Sequence, residues 1–157
     1  RPGSVSGWTV DGAINRALRM EEESRRLYLW AKGRVDSPGS RELLEELAEE
    51  ELRHRDRILA LKEDRSRLSE LERGRRVEDL KIVDWLEDVA LSEDADYQRI
   101  LIYAGKREKE TYEYYSGLAE RLAGTEAGRL FSALAQEELR HKNRIEREYD
   151  EQILREN

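Results

Sequence analysis

The segment LAEEELRH at positions 47–54 recurs as LAQEELRH at positions 134–141, an offset of 134 − 47 = 87 residues. A repeat constrains the fold more than composition does, because two copies of one segment form two copies of one structural unit. The same offset carries Glu21 onto Glu108 and Tyr28 onto Tyr115. Both histidines of the chain, His54 and His141, close the repeated segment. The pattern predicts two related helical hairpins joined by a long connection, in one domain spanning residues 1–157.

Apolar spacing places the helices. The first is expected over residues 11–33, with Ile14, Ala17, Leu18, Tyr28 and Ala31 on one face. Gly33 and the stretch Asp36-Ser37-Pro38-Gly39 supply a stop and a turn. Ser40 is then the expected N-cap of a second helix over 41–71, with Leu43 opening its apolar pattern. Its stripe continues through Leu47, Glu51, His54, Ile58 and Leu61, so polar groups interrupt a core face. Arg73-Gly74-Arg75-Arg76 marks a break, and residues 74–94 form the crossover, with one short helix expected around 77–91. A third helix is expected over 95–122 and a fourth over 126–149, with Gly124-Thr125 as the turn and Thr125 as the cap. Two short hairpin loops and one long crossover in an all-α chain match the ferritin-like variant of the four-helix bundle.

Glu51 with His54, and Glu138 with His141, form two Glu-x-x-His pairs. Residues three apart on a helix share a face, so each pair can reach one point. The preceding helix of each half adds one Glu, at 21 and at 108, each seven residues before a Tyr on the same stripe. Most glutamates on helices are solvated, and this chain has many. Four inward carboxylates without a cation would repel one another and cost several kcal/mol each in desolvation, and divalent ions remove that cost. Four carboxylates and two imidazoles suffice for two octahedral metals, as in di-iron and di-manganese carboxylate bundles. The adjacent Glu22, Glu23, Glu50, Glu110 and Glu137 are rival positions, one or two residues out of phase. Tyr28 and Tyr115 are core residues with a polar tip, for which a ligand carboxylate is the natural acceptor.

The balance of 36 acidic to 29 basic residues, a formal charge of −7, repels nucleic acid and anionic membranes. No apolar run approaches the roughly 20 residues that span a bilayer, and residues 1–10 lack a signal-peptide stretch, which leaves the cytoplasm as the default. The chain has no Cys, hence no disulfide scaffold, zinc ribbon or rubredoxin-type iron centre within it.

At these residues the chain resembles the rubrerythrin and ferritin superfamily. MEEESRRLYLWA and KREKETYEYYSGLAERL resemble its Glu-x6-Tyr helices, and LAEEELRH and LAQEELRH its Glu-x-x-His helices. The resemblance runs from about residue 11 to the end, and that ending is similar to stand-alone proteins without a rubredoxin domain. It implies that Glu21, Glu51, His54, Glu108, Glu138 and His141 ligate two iron ions, with manganese the alternative, and that Tyr28 and Tyr115 hydrogen-bond to these ligands. It implies an oxidoreductase that reduces peroxide or dioxygen, fed by an external electron-donor protein, in a dimer or larger homo-oligomer. A ferroxidase or iron-storage subunit, and a helical scaffold with a vestigial site, are the alternatives. Rubrerythrins carry a further carboxylate on the third helix. In a regular helix that position here is Thr111, and Glu110 would reach it only through a π-bulge.

Overall fold

The computed structural model describes residues 7–64, 77–78 and 91–154. Four helices account for most of them: α1 (Val10–Lys32), α2 (Pro38–Glu63), α3 (Tyr97–Arg121) and α4 (Glu126–Gln152). Each starts at a side chain that accepts a hydrogen bond from an otherwise orphaned first-turn N–H. Thr9 accepts from Gly12, Asp96 from Arg99 and Thr125 from Gly128, at 3.0, 2.9 and 3.0 Å.

The second helix departs from expectation at both ends. It is capped by Ser37 rather than Ser40 and begins at Pro38, whose ring presets a helical φ and which has no N–H to satisfy. Ser40 is buried inside the helix, where its hydroxyl donates to Glu148 of α4 at 2.5 Å. The helix ends at Glu63, with Asp64 as its C-cap, rather than at 71. Residues 65–71 lie outside the described residues. The third helix starts two residues later than expected because Asp96 takes the cap, and the fourth runs on to Gln152.

Val77 and Glu78 pair antiparallel with Gly7 and Trp8, in the register Gly7↔Glu78 and Trp8↔Val77. This two-residue ladder (β1, Gly7–Trp8; β2, Val77–Glu78) replaces the start of the helix expected at 77, and residues 79–90 lie outside the described residues.

The α3–α4 turn is set by glycine. Gly124 has φ +86°, a conformation that costs L side chains a steric clash. Four residues on, a Cβ on Gly128 would stand 2.3 Å from the Leu122 carbonyl oxygen, so α4 closes onto the end of α3 only with glycine there.

Helix α1 packs chiefly on α2, and α3 on α4. The apolar core has two parts. One holds Ile14, Ala17, Ile58, Tyr115, Leu118, Phe131 and Leu134; the other holds Tyr28, Leu44, Leu47, Ile100, Ala104 and Ile145. Burial of each large side chain contributes about 1.5–3 kcal/mol. Along every helix the two apolar stretches flank one polar stretch: Glu21 and Ser24, Glu51 and His54, Glu108 and Thr111, Glu138 and His141. The bundle is ferritin-like, and a polar layer crosses its interior between two apolar plugs.

Candidate metal centre

Glu21, Glu51, His54, Glu108, Glu138 and His141 are each no more than 1% exposed. The Glu-x-x-His step acts as its spacing requires: His54 Nδ1 lies 3.2 Å from Glu51 Oε1, and His141 Nδ1 lies 3.0 Å from Glu138 Oε1. The six side chains form two overlapping groups of four, and Glu51, His54 and His141 make a further group of three. Glu21, Glu51, His54 and Glu138 bring one ligand atom each within 4.8 Å of one another, and so do Glu51, Glu108, Glu138 and His141. Glu51 and Glu138 belong to both groups of four, while each of these has its own Glu and its own His.

The donor atoms are the ones left without partners. Both oxygens of Glu51 and of Glu138, Oε1 of Glu21 and of Glu108, and Nδ1 of His54 and of His141 are buried and have no hydrogen-bond partner among the described residues. Orphaned buried acceptors are costly and rare. So many in one layer, all of oxygen and imidazole-nitrogen type, fit divalent metal ions.

Every outer contact crosses from one repeat to the other. Tyr115 donates to Glu21 Oε2 at 2.6 Å, leaving Oε1 toward His54, and Tyr28 donates to Glu108 Oε2. His54 Nε2 lies 2.7 Å from Glu137 Oε1, and His141 Nε2 lies 2.7 Å from Glu50 Oε1. Behind these, Arg57 donates to Glu137 Oε2 at 3.0 Å and Arg144 to Glu50 Oε2 at 3.1 Å. The outer carboxylate fixes the ring orientation and leaves Nδ1 for the interior.

Electrostatics follow from this burial. Desolvation, then the Glu138 charge, pushes Glu21 up to about 7. Desolvation and the charges of Glu138, Glu21 and Glu108 raise Glu51 well above the ordinary carboxylate range. Burial works against a charged imidazole, yet the facing carboxylates of Glu138 and Glu21 outweigh it and push His54 up to about 10. His141, facing Glu108 and Glu138 and bonded to Glu50, is pushed up to about 12 against the same opposition. Glu50, bonded to His141 and flanked by Arg144, is pulled down to about 2. Without metal the cluster therefore holds protons on its imidazoles.

The sequence matches the Rubrerythrin family over residues 13–149. The chain belongs to the rubrerythrin family. No curated protein and no solved structure matches it significantly.

In this rubrerythrin-family chain the six residues picked out by the repeat meet in one layer, and the two tyrosines bond to Glu21 and Glu108 as their position suggested. Glu110 stays outside the cluster: α3 is a regular α-helix through this point, and Thr111 takes the buried position one turn beyond Glu108. Glu50 and Glu137, rival ligand positions on the sequence, are instead the outer partners of the histidines. The offset of 87 that joins Glu51 to Glu138 joins Glu50 to Glu137 and Arg57 to Arg144 as well. That recurrence is the signal by which all four could have been found. Among the described residues no helix is long and apolar enough to cross a membrane.

Proposed function

We propose that this protein is a di-iron carboxylate oxidoreductase that reduces peroxide or dioxygen. The observation that carries the reading is the sharing of Glu51 and Glu138 between two four-ligand groups. Two carboxylates common to both groups would hold two cations side by side, where both could act on one substrate. Glu21 with His54 and Glu108 with His141 would complete the two coordination spheres, and manganese suits the same donors. When bound, the ferrous pair supplies two electrons, and with two protons these convert hydrogen peroxide to two molecules of water.

The protein's own groups prepare that chemistry. The apolar plugs on either side keep bulk water from the layer. Tyr28 and Tyr115 orient the terminal carboxylates, and Glu50 and Glu137 orient the imidazoles. Residues 1–157 contain no cysteine with which to hold an iron–sulfur relay, and re-reduction by a separate electron-donor protein is part of the same proposal. A soluble cytoplasmic homo-oligomer is part of the same proposal.

The test is metal content by mass spectrometry after purification without chelator, followed by peroxide consumption by the anaerobically Fe²⁺-loaded protein. The expected result is about two iron atoms per chain, both lost in Glu51→Ala/Glu138→Ala together with peroxide turnover. Absence of metal, with no uptake after anaerobic Fe²⁺ or Mn²⁺ addition, would overturn the reading. Metal uptake without peroxide or dioxygen turnover would overturn the oxidoreductase assignment alone.

A further inference from the structure

Two hydrogen bonds fix how α1 lies against α3. Tyr28 of α1 bonds to Glu108 of α3, and Tyr115 of α3 bonds to Glu21 of α1, so the helices run antiparallel with these pairs as rungs. Between the rungs each helix carries one buried hydroxyl. Ser24 stands three residues after Glu21 and four before Tyr28, and Thr111 stands three after Glu108 and four before Tyr115. They are 4% and 2% exposed. The crossed rungs bring the two to the same level of the polar layer.

Only one of the pair is satisfied. Ser24 Oγ accepts a hydrogen bond from Arg107 Nη2 at 3.3 Å. At the offset of 87 the counterpart of Arg107 is Met20, whose side chain has no N–H to offer Thr111. Thr111 Oγ1 is buried and has no partner, the one side-chain hydroxyl in that state among the described residues. An unpaired buried hydroxyl lowers stability, and valine would fill the same volume without it.

The helix sets where this hydroxyl stands. Thr111 lies about 60° around α3 from Glu108 and about one turn along it. It falls between Glu108, which joins the cluster, and Arg107, which contacts Met20 and Ser24 of α1. Cα–Cβ bonds tilt toward the helix N-terminus, so the side chain leans back toward the level of Glu108. A free donor is thus left beside the ligand carboxylates in one repeat and not in the other.

We propose that Thr111 is a substrate-binding residue, whose hydroxyl donates a hydrogen bond to peroxide held in the layer between Glu21 and Glu108. The inference rests on the reading of that layer as a metal centre.

The test compares two variants of the full chain: Thr111→Val, which keeps the shape and removes the hydroxyl, and Thr111→Ser, which keeps the hydroxyl. In metal-free protein Thr111→Val should raise Tm by several degrees, because an unpaired polar group is gone, while Thr111→Ser should lower it through the lost methyl. In iron-loaded protein the probe is azide, a small anion standing in for hydroperoxide and followed by its absorption with ferric iron. Azide should bind about tenfold more weakly to Thr111→Val than to the unaltered chain, with Thr111→Ser close to the latter and iron content equal in all three. Peroxide turnover should follow the same order through KM. A Tm not raised in Thr111→Val, or azide affinity unchanged at normal iron content, would overturn the proposal alone. Loss of iron from Thr111→Val would also overturn it, by making Thr111 a support of the ligands. An unaltered chain that takes up no iron would overturn the metal-centre reading and this proposal together.

Discussion

His54 and His141 stack face to face, with ring centroids 5.5 Å apart and ring planes 9° from parallel. Each ring turns Nδ1 toward the buried carboxylates and Nε2 toward an outer glutamate on the opposite repeat. Two protonated imidazoles in that arrangement repel one another and persist only because four carboxylates surround them. Cations in the layer would replace those protons.

The pH dependence of metal-free protein follows from this. Glu21, raised from 4.5 to about 7, binds its proton more tightly folded than unfolded, so its contribution to stability is full below 4.5 and is lost as pH rises through about 7. His54, raised from 6.5 to about 10, contributes fully below 6.5 and loses that contribution as pH rises through about 10. Glu50, lowered to about 2, acts in the opposite sense, and its contribution is lost as pH falls from 4.5 through about 2. The chelated protein should therefore have its highest Tm near pH 4.5, decline first through the loss at Glu21 and then through that at His54, and lose several degrees by pH 9. Metal uptake should release protons and strengthen as pH rises. Scanning calorimetry across pH, with and without chelator, checks both; a chelated protein more stable at pH 9 than at pH 6 would contradict them.

Glu50 and Glu137 should matter to metal affinity without touching the metal. Each bonds the outer nitrogen of a histidine at 2.7 Å, and loss of such a partner typically costs about 10- to 100-fold in affinity. Glu50→Ala and Glu137→Ala should weaken binding by similar factors, because the two repeats are equivalent here. Competitive titration against a chelator of known affinity measures this. Affinity unchanged in both variants would show that the histidines are oriented by packing alone.

Tyr28→Phe and Tyr115→Phe remove a hydroxyl and little volume. Each deletes a buried hydrogen bond to a carboxylate, a loss of about 1.5–3 kcal/mol in metal-free protein near neutral pH. The freed Oε2 of Glu108 or Glu21 then becomes available to a bound cation, so the destabilisation should shrink on metal loading. Urea unfolding of both forms provides the comparison, and an equal loss in each would tie the tyrosines to packing rather than to the site.

Gly128→Ala should be among the most damaging single-methyl additions in the hairpin. The added Cβ meets backbone, the Leu122 carbonyl, rather than a side chain that can swing aside. Overpacking of this kind costs about 1–3 kcal/mol, or a Tm loss on the order of 5 °C. Gly39→Ala, in the first turn of α2 with open space around the new methyl, is the control and should leave Tm nearly unchanged.

Much of this architecture is written along the chain. The 87-residue offset, the helical period and the three-residue step from Glu to His required four helices in two hairpins and an inward layer built from Glu21, Glu51, His54 and their counterparts. Those features are local, since a residue's face depends only on its own helix. The start of α2 was not legible in this way: the local pattern points to Ser40 as the cap, whereas the fold buries Ser40 against Glu148 and caps the helix at Ser37.

What tertiary structure alone decided is which half supplies each partner. Glu50 and Glu51 are neighbours of one chemical type about 100° apart on a helix. Whether such a residue meets the shared centre or backs a histidine depends on where the other hairpin lies. The bundle brings Glu50 to His141 and Glu137 to His54, Tyr28 to Glu108 and Tyr115 to Glu21, so each repeat is completed by the other. The burial of Arg107 against Ser24 is likewise a product of the packing between α1 and α3, for nothing in its neighbouring sequence separates it from Lys106 or Lys109.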